Sequence, residues 1–159
     1  MNTLPRGIYP PLVTPFENEV FNPKAYTANI QELNETRLAG YVVLGSNGES
    51  AYLQNDEALE VIETAAGARA TGKPLVVGTG RESTRATIEF TNQAARAGAD
   101  AALVVPPSYY RAAMTEAVLE AHYRTVADAS DIPLLLYHVP KFSQVTFSPE
   151  MAASLTSHP

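Results

Sequence analysis

The chain has 159 residues, 45% apolar and 18% charged, with a formal net charge of −6 and no cysteine. That length fits one domain with a real core, since a domain of about 150 residues buries roughly 70% of its unfolded surface. Lack of cysteine excludes disulfides, zinc–thiolate sites and cysteine nucleophiles, and the acidic balance argues against nucleic acid or an anionic membrane as partner.

Short apolar runs alternate with longer amphipathic ones. Ile8 to Val13 is the first predicted strand. Asn22-Pro23 reads as an N-cap followed by proline at the first helical position, opening a helix to about Leu38. Tyr41 to Leu44 is the second strand. Asn55, with Asp56 and Glu57 in the first turn, is expected to cap a helix to about Arg69. Leu75 to Val77 is the third strand, and Ser83 or Thr84 caps a helix ending near Gly98. Ala101 to Val105 is the fourth strand, stopped by Pro106-Pro107, with a helix from about Thr115 to Ala129 behind it. Pro133 to Tyr137 is the fifth strand, and Ser148-Pro149-Glu150 opens a last short helix.

Strands two to five are continuous apolar runs, the pattern of parallel strands covered on both faces. Their starts recur about every 30 residues, one βα unit each. No linker or domain boundary interrupts residues 1–159. Periodicity leaves two architectures open. One is a small doubly wound sheet; the other is the first part of an eight-stranded barrel, which typically needs about 250 residues. Both put ligands at the C-terminal ends of the strands.

Polar residues gather at those ends: Thr14 after strand one, Gly45-Ser46-Asn47-Gly48-Glu49-Ser50 after strand two and Gly78-Thr79-Gly80 after strand three. Ser108-Tyr109-Tyr110-Arg111 follow strand four, and Tyr137-His138 close strand five. GSNGES lacks the lysine of a phosphate loop, and GTGRES ends in Ser83 where a dinucleotide fingerprint has glycine. GSNGES is then either a plain turn or a carboxylate cradle of backbone N–H groups and the Ser46 hydroxyl. His122, His138 and His158 show no metal-ligand spacing. Arg81, Arg85 and Arg96 read as a solvated helix face. The N-terminus has no apolar leader and no apolar run approaches about 18 residues, so a soluble, cytoplasmic protein is the default expectation.

The segments LVTPF (12–16), GSNGES (45–50), VVGTG (76–80), AGADAALVVPPSYY (97–110) and YHVP (137–140) resemble, in order and spacing, the dihydrodipicolinate synthase / N-acetylneuraminate lyase family of class I aldolases. AGADAALVV, PPSYYR, HYRTVAD and GSNGE look most like its 4-hydroxy-2-oxoglutarate aldolase branch. The resemblance implies an α/β fold: the N-terminal five βα units of a TIM (β/α)8 barrel, truncated before strand six. It implies a lyase acting on a small 2-keto acid such as pyruvate, with no cofactor and no metal, working as a homo-oligomer (dimer or tetramer).

It also implies roles. Tyr137 resembles the tyrosine that shuttles protons at the Schiff base, Ser46 the hydroxyl that hydrogen-bonds it, and Tyr110 the tyrosine passed across a dimer interface. Gly45, Ser46 and Asn47 lie where the family loop binds the keto-acid carboxylate. The Schiff-base lysine of the family, at the end of strand six, is matched by none of Lys24, Lys73 and Lys141, so this chain alone is expected to be inactive. Phe142 stands where the synthase branch carries an arginine, which favours an aldolase or lyase. Five strands leave open edges and an apolar inner face, so the chain is expected to need a partner.

Overall fold

The computed structural model describes residues 4 and 6–158. A two-residue hairpin, β1 (Phe16–Glu17) with β2 (Val20–Phe21), precedes helix α1 (Pro23–Asn34). Then strands and helices alternate: β3 (Tyr41–Val43), α2 (Asn55–Ala68), β4 (Leu75–Gly78), α3 (Thr84–Arg96), β5 (Ala101–Val104), α4 (Glu116–Asp128) and β6 (Leu134–Leu136). Two shorter helices follow, α5 (Pro140–Ser143) and α6 (Pro149–Thr156).

The main sheet is parallel, in the order β3-β4-β5-β6, with Val42 opposite Val76, Val77 opposite Ala102 and Leu103 opposite Leu135. Sheet order equals chain order, and the segment around Pro11 pairs outside β3. A doubly wound sheet reverses its strand order at a switch point. None occurs here, so successive right-handed crossovers lay the helices on one face and leave the other bare, as in a barrel wall.

Side-chain alternation shows the two faces. Tyr41, Val43, Leu75 and Val77 pack with Ile30, Val61, Ile62 and Phe90 in one core cluster. Ala102 and Val104 pack with Leu119, Tyr123 and Met151 in a second. The intervening Val42, Val76, Leu103 and Leu135 point to the opposite face and join neither cluster.

The first predicted strand is corrected. Residues 8–13 form one isolated parallel bridge, Pro11 to Val42, with Leu12 N–H donating to Val42 O at 2.8 Å and Val42 N–H to Pro10 O at 2.9 Å. Pro10 and Pro11 have no N–H to extend the ladder, which confines them to a sheet edge. The hairpin β1–β2 was not expected; Asn18 and Glu19 both take positive φ in its turn.

Helix ends follow local chemistry. Asn22 Oδ1 accepts from Ala25 N–H at 3.0 Å, and Ser83 Oγ from Ala86 N–H at 3.2 Å, as predicted. For α2 the N-cap is Gln54, one residue earlier than predicted, and the Glu57 carboxylate accepts from its N–H at 2.8 Å. Helix α1 stops at Asn34, not Leu38. Lys73 Nζ donates to the carbonyls of Leu33, Asn34 and Thr36 at 2.8–3.2 Å, replacing the helical donors that would have continued it. That puts Lys73 at the end of the sheet away from the strand C-termini. Strand β6 departs from the prediction of strands buried on both faces: all its residues are half-buried.

Candidate active site

Strands β3 to β6 deliver their polar sequels to one rim. After β3 the chain turns sharply: Leu44 sits at φ 56° and Glu49 at φ 55°, with two short 3-10 turns, Ser46–Gly48 and Ser50–Tyr52, in the loop. A leucine in the left-handed region costs of order 1–3 kcal/mol unless the surroundings hold it. They do. Buried Thr14 donates its hydroxyl to Gly48 O at 2.7 Å. Next door, a Cβ on Gly78 would lie 2.0 Å from Leu44 O, so only glycine lets β4 pass this close to the turn.

Tyr137 is set by β6: its N–H donates to Val104 O at 2.9 Å, in continuation of the ladder. Alternation puts its ring on the face without helices. There its hydroxyl lies 3.4 Å from Ser46 Oγ, joining residues 91 apart in sequence. These are the two groups that the resemblance placed in a relay.

The pair borders a cleft of about 360 Å³ lined by Gly45, Ser46, Glu49, Arg81, Ser108, Tyr137 and Phe142, among others. Asn47 is exposed and does not line it. Neither does Tyr110, which is 73% exposed and stacks edge-on with Tyr109 at 5.0 Å between ring centres. The loop carrying both tyrosines is tied to the end of β4 by Glu82. Its carboxylate accepts from Ser108 N–H at 2.9 Å, Ser108 Oγ at 3.2 Å and Tyr109 N–H at 2.8 Å.

Sequence reasoning placed Thr14 at this rim but missed Arg81 and Glu82 as parts of it. Arg81 is corrected outright: only Arg85 and Arg96 are on the solvated face. Arg81 precedes α3, lies half-buried with its guanidinium 3.7 Å over the Phe90 ring, and burial lowers its pKa from the ordinary arginine value. A lone arginine between glycine and glutamate carries no periodic signal, so nothing local marks it. No lysine lines the cleft; Lys24 and Lys141 are exposed. His138 is exposed at the site's edge, its ring 4.4 Å from that of Phe147. Among the described residues no cluster of three His, Cys, Asp or Glu could hold a metal, and no helix is long and apolar enough to cross a membrane.

A barrel wall with hydroxyls at a small cleft at its strand C-termini is the architecture of a (β/α)-barrel enzyme site. The chain belongs to the dihydrodipicolinate synthetase family, whose pattern it matches over residues 4–159. It is 40% identical over 152 residues to 4-hydroxy-tetrahydrodipicolinate synthase of Methanothrix thermoacetophila, covering 95% of this chain and 50% of the relative. It is 41% identical over 159 residues to a probable mitochondrial 4-hydroxy-2-oxoglutarate aldolase of Emericella nidulans, covering 96% and 52%. Among solved structures, the chloride-inhibited dihydrodipicolinate synthase of Acinetobacter baumannii complexed with pyruvate superposes with a TM-score of 0.91 at 33% identity, covering 99% of this chain and 53% of that one. The chain spans about half the length of the curated relatives it matches, and its fold is the N-terminal part of the family barrel.

Proposed function

We propose that this chain carries the keto-acid cradle and the proton relay of a class I, Schiff-base aldolase or lyase acting on pyruvate-type 2-keto acids. The observation that carries the reading is the 3.4 Å approach of Ser46 Oγ to Tyr137 Oη at the C-terminal rim of the sheet. In this chemistry an amine condenses with the substrate ketone, releasing water, and the resulting iminium draws electrons from C3. The C3 proton leaves to give an enamine, or a C3–C4 bond breaks to give the same enamine and an aldehyde. Each step needs a group that takes a proton and returns it. Tyr137 fills that role when a hydrogen-bond partner fixes its hydroxyl, and Ser46 is that partner.

Gly45 and Ser46, which line the cleft, supply the cradle, with the exposed Asn47 adjoining it from outside. Gly48 N–H is used by Gly45 O at 3.0 Å and Glu49 N–H by Ser46 O at 3.3 Å. The first N–H groups of such a turn, that of Ser46 among them, have no acceptor within it and are available to a carboxylate. Tyr110, exposed at 73%, suits a residue given to the site of a second copy in a homo-oligomer. Phe142 makes this wall of the cleft apolar, which favours an aldolase or lyase of 4-hydroxy-2-oxoglutarate type over the synthase. No cofactor enters the scheme.

A second reading rests on the lack of a lysine in the cleft. With no amine at hand the chain binds the keto acid without turning it over, as a binding subunit or inactive half-site. One experiment covers both. The 159-residue chain is incubated with pyruvate and sodium borohydride and its intact mass measured, beside a pyruvate titration. We expect saturable binding, weakened about fivefold by Ser46→Ala for the loss of ~1 kcal/mol, and no covalent adduct. A reduced pyruvyl adduct would show an imine-forming lysine in this chain, with Lys141→Arg the first substitution to make. No binding at all would sink the cradle.

A further inference from the structure

We infer that Arg81 is the specificity-determining residue of this cleft and receives the distal carboxylate of a dicarboxylic 2-keto acid. The inference rests on the keto-acid reading above and adds the residue that reads the far end of the substrate.

Arg81 is the one cationic side chain among the described residues that line the cleft. A cation taken partly out of water is costly unless paired, yet Arg81 has no acidic partner within 4.0 Å among the described residues. Of the acids at this rim, Glu82 is committed to Ser108 and Tyr109, and Glu49, which also lines the cleft, makes no ion pair with Arg81 within 4.0 Å. What holds Arg81 is neutral. Nε and Nη2 donate to Asn55 Oδ1 at 3.3 and 3.0 Å, Nη1 donates to Gly80 O at 3.0 Å, and the guanidinium lies over Phe90, which is 1% exposed.

This arrangement fixes the orientation of the group without neutralising it. A guanidinium has five N–H donors. Three are used, so two remain in a fixed planar fork, the geometry that a carboxylate accepts. The cradle of Gly45 and Ser46 follows β3 and Arg81 follows β4; those strands are adjacent, so both border the same cleft. A substrate with one carboxylate in the cradle leaves Arg81 unpaired. A diacid pairs both.

The test is a pair of titrations of the 159-residue chain with two five-carbon keto acids, 2-oxoglutarate and 2-oxopentanoate, which differ in the distal carboxylate. Wild type is expected to prefer 2-oxoglutarate by about tenfold. Arg81→Gln should abolish that preference and leave 2-oxopentanoate affinity unchanged. Should Arg81→Gln melt early for want of the Phe90 stack, Arg81→Lys serves, keeping the charge and losing the fork, and it is expected to reduce the preference. Equal binding of the two acids by wild type, or a preference that survives both substitutions, overturns the assignment while keto-acid binding stands. Binding of neither acid overturns the cradle and this assignment together.

Discussion

At the scale of single residues, His122 shows how burial sets chemistry outside the cleft. It lies on α4 at 5% exposure, with Nδ1 2.9 Å from Thr84 Oγ1 on α3 and its ring edge-on to Tyr123. Its Nε2 is buried without a hydrogen-bond partner. Protonation would leave a charged, unpaired N–H inside the α3–α4 contact, so desolvation lowers its pKa below the ordinary 6.5. The unfolded chain therefore binds this proton more readily than the folded one. The sign follows: His122 costs nothing above about pH 6.5, and stability falls as pH drops from there toward the depressed folded value. Thermal melts between pH 7.5 and 5 should show a falling Tm, and His122→Gln should flatten that part of the slope. An unchanged slope in the variant would locate the acid sensitivity elsewhere. From sequence alone His122 was only a histidine without metal spacing; its burial depends on a helix 38 residues away.

At the scale of elements, the capping signals were the most legible part of the chain, because a cap is a contract between residues about three apart. Asn22, Ser83, Thr115 and Ser148 each accept from the N–H three residues on. Ser83→Ala should cost about 1 kcal/mol by loss of the bond to Ala86 N–H, read as a lower denaturant midpoint at constant m. The Thr87 hydroxyl, which donates to the backbone carbonyl of residue 83 at 3.0 Å, keeps its partner in this variant. No loss of stability would mean that tertiary packing of Thr87, Phe90 and Thr91 fixes the start of α3 without its cap. The sequence misled at α1 through a remote partner and at the first strand through its own prolines. Lys73 ended α1 from 37 to 40 residues away, and the proline edge of residues 8–13 shortened a strand whose apolar pattern was sound. The hairpin β1–β2 left no signal, since two-residue strands are too short to show a period.

At the scale of the whole molecule, the sheet carries helices on one face. The other face presents Val13, 58% exposed, together with Val42, Leu103 and Leu135. The free edge along β6 adjoins an apolar groove of about 570 Å³ lined by Ile132, Leu134, Leu136 and Leu155 among others. Apolar surface of this kind gains about 25 cal/mol per Å² on burial, and an unpaired parallel edge adds hydrogen-bonding groups to any contact. The 17.1 kDa chain should therefore sediment above its monomer mass, increasingly so with concentration, and Leu135→Lys should reduce the association. A concentration-independent monomer with a two-state melt would refute this.

The sequence by itself determined the βα alternation, the starts of the helices and the gathering of hydroxyls, amides and glycines at the strand ends. Those features are written by interactions that span a few residues: a period of two or 3.6, a cap, a glycine at a turn. The resemblance to a family of aldolases was legible for a related reason, since its motifs are contiguous. The tertiary structure decided the rest. It chose a barrel wall over a doubly wound sheet through the order of strand pairing. It brought Ser46 within 3.4 Å of Tyr137 across 91 residues, moved Arg81 from an imagined solvated face onto Phe90, and left Asn47 and Tyr110 outside the cleft. Each of these is a contact between chain segments far apart in sequence, and the energy of such a contact exists only once the strands between them have paired.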